Sequence, residues 1–130
     1  ILFDSSMIPG EVVDLLVVRE SLLKSHRRQI HHLIDAWHRA LEYLHQSPEP
    51  AAEVMTARIG GSAAEVLRSL QQLELPGPKR SSVLMSGKPP ELQKQAEALA
   101  RLMLEQGLMQ QLPDLSGLVY ADYPSYETDH

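Results

Sequence analysis

Two apolar runs near the start of the chain, Ile1 to Phe3 and Val12 to Val18, constrain its fold more than any other feature. Both are rich in β-branched or bulky apolar residues and they flank the turn signal Pro9-Gly10, so both are predicted strands. Val12 to Val18 is apolar on both faces except at Asp14, the pattern of a strand buried between helices in the interior of a sheet. Two short strands do not make such a sheet, and the later sequence supplies no obvious partner for them. The chain also opens without an initiator Met or a signal peptide. Together these features predict a piece of a larger protein whose remainder completes the sheet.

From Glu20 the apolar period changes from two to about 3.6. A short helical turn is expected at Ser21 to Lys24, then a long helix from Ser25, with Ser25 as its N-cap. Ile30, Leu33, Ile34, Trp37, Leu41 and Leu44 share one face of that helix, which should end before Ser47-Pro48. Ser47 then caps a helix whose first turn holds Pro48, Glu49 and Pro50 and which runs through Ala51, Val54 and Met55 to a stop at Gly60-Gly61. Ser62 and Glu65 form a capping-box pattern before Val66, Leu67 and Leu70. Leu75 to Lys88 holds Pro76-Gly77-Pro78 and Ser86-Gly87 and reads as an irregular connection. Pro89-Pro90-Glu91 opens the last major helix, with Leu92, Ala96, Leu99, Leu102 and Met103 inward and Gly107 at C′. Beyond it the periodicity fades into an extended tail carrying Tyr120, Tyr123 and Tyr126.

Composition narrows the function. A formal charge of -5 with pI near 5.6 argues against a nucleic-acid partner, since phosphate neutralisation needs clustered Lys and Arg, and Arg27-Arg28 and Lys79-Arg80 are pairs only. With no Cys, thiol catalysis, Cys-ligated metals and disulfides are excluded. No apolar run approaches the roughly 20 residues of a membrane-spanning helix. Gly60-Gly61 lacks the Lys of a phosphate-binding loop, and no serine stands between flanking glycines after a strand, as a nucleophile elbow requires.

Taken in order, these pieces resemble the C-terminal part of bacterial ABC-transporter substrate-binding proteins of the nitrate, sulfonate, taurine and thiamine-pyrimidine group. Leu2-Phe3-Asp4-Ser5-Ser6, Ile8-Pro9-Gly10 and Val13-Asp14-Leu15-Leu16-Val17-Val18-Arg19 look like that family's return from its second lobe. The run Ile34 to Leu44, followed by Ser47-Pro48-Glu49 and Ala51-Ala52-Glu53, is similar to its long helix and the helix after it. Leu104-Glu105-Gln106-Gly107-Leu108 and Pro113-Asp114-Leu115 resemble its C-terminal helix and tail. The resemblance implies an α/β fold of the type II periplasmic-binding-protein kind. This chain would then supply hinge-proximal strands over 1–19, four to five helices over 20–107 and an extended tail over 108–130. It further implies a periplasmic or membrane-anchored solute receptor with no cofactor and no covalent chemistry. Such a receptor closes about its hinge on a small anionic or zwitterionic solute and presents it to ABC permease subunits.

Two groups of residues are candidate sites. Asp4, Ser5 and Ser6 form a polar cluster after an apolar strand, where an open α/β sheet presents hydroxyls and backbone N–H groups to an anionic headgroup. The same residues also close turns throughout proteins, and that reading stands beside the first. His31, Asp35, His38, Glu42 and His45 follow one another at four, three, four and three residues, on one helical face. Of these, His31, Asp35 and His38 are the candidate ligands for zinc or a similar metal. The competing reading is a solvated face opposite Trp37, which would itself fill the core.

Two further functions stay open. One is a helical protein-interaction module, with Val12 to Val18 and the Trp37 face as its binding surfaces. The other is an enzyme of the related thiamine-pyrimidine synthase group, for which this segment holds no matching catalytic motif. As an isolated piece, the chain is expected to expose an unpaired strand edge and apolar helix faces, and so to self-associate.

Overall fold

The computed structural model describes residues 7–8 and 12–120, which form six α-helices. They are α1 (Glu20–Ser25), α2 (Arg27–Gln46), α3 (Pro48–Ile59), α4 (Ala63–Leu70), α5 (Pro78–Met85) and α6 (Glu91–Glu105). The chain divides into two units, one spanning Glu20–Pro78 and the other comprising Ile1–Arg19 with Lys79–His130.

The expected α/β architecture is not found. Among the described residues there is no sheet, and the one β-bridge, Gly87 to Pro90, closes a turn. Ile1 to Phe3 lies outside the described residues, whereas Val12 to Val18 is described and has no regular secondary structure. Its apolar side chains are mostly exposed, Val12 at 73% and Val17 at 81%. The composition of a strand is present, but a strand exists only through hydrogen bonds to a neighbouring edge, and no described segment offers one.

In the Glu20–Pro78 unit the helices pack in sequence, α1 on α2, α2 on α3 and α3 on α4. The junction of α1 and α2 differs from the sequence expectation. Ser25 ends α1, its Oγ donating to the Ser21 carbonyl at 2.8 Å, and His26 rather than Ser25 precedes α2. Ser47 joins α2 to α3 through its backbone: its N–H donates to Tyr43 and its carbonyl accepts from Ala51. Its side chain makes no capping bond, and Pro48 opens α3 where its missing N–H costs nothing.

α3 and α4 meet at Gly60-Gly61 and the capping box. Ser62 N–H and Oγ both donate to Glu65 Oε2 at 2.8 Å, while Ser62 Oγ accepts from Glu65 N–H at 3.4 Å. Gly61 has φ +75°, and a Cβ there would lie 3.1 Å from that same Glu65 oxygen, so glycine leaves the box its room. Across this turn the small residues Ala51 and Ala52 of α3 and Val66 of α4 are buried. On α3, Ala51 and Ala52 are buried and Met55 and Thr56 half-buried, while Val54 is 72% exposed.

The stripe on α2 is only partly covered. Ile30 and Leu41 are buried and Ile34 and Leu44 half-buried, but Leu33 is exposed and Trp37, expected to fill the core, is 51% exposed. A stripe about four turns long needs neighbours along its whole length, and residues toward its edge stay open where neighbours are absent.

In the other unit, the segment expected to be irregular forms α5, Pro78–Met85, with proline at its first position. α6 ends as expected at Gly107, in a Schellman motif: Leu108 N–H donates to Met103 and Gly107 N–H to Leu104, with φ +70° at the glycine. Ala100 is buried and Leu92, Ala96 and Met103 half-buried, while Leu99 and Leu102, also expected inward, are exposed. A tight turn follows at Leu115 to Leu118, where Asp114 Oδ1 accepts the Ser116 N–H at 2.9 Å.

Candidate functional site

α2 carries the only candidate site residues that fall among the described residues. Asp4, Ser5 and Ser6 lie outside them. The 3.6-residue period places His31, Asp35, His38, Glu42 and His45 along one side of α2, but that side is not uniformly solvated. His31, Asp35 and His38 are half-buried, while Glu42 and His45 are exposed. The reading of this side as a solvated face opposite a buried Trp37 is therefore reversed at two points, since His38 is more enclosed than the tryptophan.

Burial has a chemical consequence at His38. Loss of solvent around the ring disfavours the imidazolium and pushes its pKa below the ordinary histidine value, and the nearby Asp35 carboxylate partly offsets this. His38 is accordingly biased toward neutral imidazole, the form that ligates metals and exchanges protons.

The donors nevertheless do not converge. Among the described residues, no group of three or more His, Asp or Glu side chains is placed to hold a metal ion. Donors spaced along a single straight helix rise about 1.5 Å per residue, so a tetrahedral shell needs ligands from a second element. Glu42 is engaged locally, accepting from Gln46 Nε2 at 3.0 Å.

His31 and Asp35 contribute instead to an open depression shared with Arg27, Arg28 and His32 at the start of α2. The two arginines were read in the sequence as an isolated pair. The signal that joins them to the histidines is the four-residue spacing of Arg27, His31 and Asp35 and of Arg28 and His32, which sets them on adjoining rows of the helix. A second, smaller cleft lies where Leu112, Pro113 and Leu115 meet Glu97, Ala100 and Arg101 of α6. It is mainly the seat of the tail on the helix.

Chemically, the α2 depression offers guanidinium and imidazole donors beside one carboxylate. No family model matches the chain, and neither a curated protein nor a solved structure similar to it is found.

Proposed function

We propose that this chain belongs to the solute-binding component of an ABC importer, which captures a small anionic or zwitterionic solute outside the cytoplasm and delivers it to the permease. One observation supports the reading: the family-like segments of the later chain fall on helices or at their ends. The Ile34–Leu44 run lies within α2, Pro48 opens α3 and Leu104 to Leu108 closes α6 in its Schellman turn. Asp4, Ser5 and Ser6 are the residues assigned to the solute, through hydroxyl and backbone donors. Binding acts by favouring a closed conformation over an open one, without covalent chemistry.

The test is a thermal-shift screen of the full-length protein, folded and free of pre-bound ligand, against sulfonates, nitrate, bicarbonate, pyrimidines and aromatic carboxylates. A ligand at 100 times its Kd adds about 2.7 kcal/mol to the folded state, a readily measured shift. Stabilisation by one class, reduced in Ser5→Ala and Ser6→Ala, supports the reading. No stabilisation by any class overturns it.

A second reading, a helical protein-interaction module, is favoured by the exposure of Leu33 and Trp37 on α2. Under it, Trp37→Ala abolishes partner binding, and no solute in the screen shifts the melting temperature.

A further inference from the structure

Arg27-Arg28 and Lys79-Arg80 are the two places in this chain where basic residues stand side by side. All four side chains are exposed, so exposure alone does not tell the pairs apart. The helices that carry them do. Arg27-Arg28 opens α2, a helix of 20 residues packed on α1 and α3, and Ile30, just past the pair, is buried. Lys79-Arg80 lies in α5, a helix of 8 residues that buries none of them. Pro76 and Gly77 precede this helix and Pro78 opens it, and the chain leaves the Glu20–Pro78 unit at that point.

This contrast matters to an endoprotease, which takes its substrate as an extended backbone paired like an added strand. A helix withholds that backbone until it opens, and the population of the open form sets how fast the bond is cut. Helices shorter than roughly 12–15 residues are marginal in water unless packing holds them. Opening the start of α5 releases Lys79, Arg80 and Ser82, already exposed, and half-buried Ser81. Opening the start of α2 draws Ile30 out of its contacts.

We infer that Lys79-Arg80 is a processing site for an endoprotease of dibasic specificity, cut at the Arg80–Ser81 bond. Two adjacent cations fit a cleft that presents carboxylates to both side chains. Beyond the bond, Ser81 and Ser82 are small enough to enter a narrow site. Water adds across the bond, leaving a carboxylate on Arg80 and an amine on Ser81. The inference is independent of the solute reading and survives its failure.

The experiment is timed digestion of the folded 130-residue chain with a dibasic-specific serine endoprotease, the fragments being identified by mass spectrometry. Synthetic peptides 21–35 and 73–87, both substrates of the same enzyme, give the intrinsic rate at each pair. The expected first products are fragments 1–80 and 81–130. Relative to its peptide, the Arg80–Ser81 bond is cut on the order of a hundredfold faster than Arg28–Gln29. Arg80→Gln abolishes this cut. Ser82→Ala keeps the pair, raises helix propensity and slows the cut about twofold. A first cut at Arg28–Gln29, or a chain left whole while both peptides are consumed, overturns the inference. So does cleavage at Arg80–Ser81 that Arg80→Gln leaves unchanged, because the enzyme is then not reading the pair.

Discussion

The contact between α3 and α4 is the most extensive helix pairing in the Glu20–Pro78 unit, and truncating Val66 measures what it is worth. Val66 is 3% exposed on α4, and Val66→Ala removes two methyl groups from beneath the turn that joins the helices. At about 0.8 kcal/mol per buried carbon, the transfer loss is roughly 1.6 kcal/mol. Incomplete collapse around the gap adds to it, and the better helix propensity of alanine subtracts roughly half a kcal/mol. The net expectation is about 1.5 kcal/mol, a large share of the few kcal/mol that a core of this size supplies. For a unit this small the melting midpoint should fall by roughly 6–12 °C. Val54→Ala is the matched control: the same chemistry on α3 at a side chain 72% exposed should change stability by less than about 0.5 kcal/mol. Urea and thermal unfolding followed by circular dichroism give both values, and Trp37, the sole tryptophan, reports on the same unit by fluorescence. Equal effects of the two substitutions, or a loss at Val66 below about 0.5 kcal/mol, would refute the packing described here.

Three further predictions concern local chemistry. Ser62→Ala removes the N-cap of α4 and should cost about 1 kcal/mol in urea unfolding. The hydrogen bonds from Ser62 hold the Glu65 carboxyl below its ordinary pKa, so their contribution is complete above the ordinary glutamate value and is lost as pH falls through the lowered folded value. Glu65→Gln should remove that part of the acid sensitivity, read as a flatter stability–pH curve below about pH 5. His38 behaves with the same sign for a different reason. Its pKa is depressed chiefly by burial, so the unfolded chain takes up the proton first, and stability declines as pH falls below about 6.5. His38→Gln should abolish that decline in thermal melts between pH 7.5 and 5.5; an unchanged slope would assign it to another group.

The sequence by itself determined the features governed by neighbours a few residues away. The Ser62–Glu65 box, proline at the start of α3, the glycine stop between α3 and α4 and the Gly107 terminus of α6 all appear where their residues predict. Each depends on hydrogen bonds within about one helical turn, so no distant residue can veto it. The start of α2 at His26 and the helical state of Pro78–Met85 were less legible, because competing caps and prolines allow more than one local solution. Only the tertiary structure decided which apolar residues are inside. Periodicity puts Trp37 and Leu41 on one face, yet Leu41 is buried and Trp37 half in solvent; Leu99 and Leu102 are likewise expected inward and are exposed. A helical face is a property of one helix, whereas burial is a property of what packs against each point along it. The same distinction governs Val12–Val18: its residues carry the composition of a strand, but a strand is made by a second edge, and no described segment of the chain provides one.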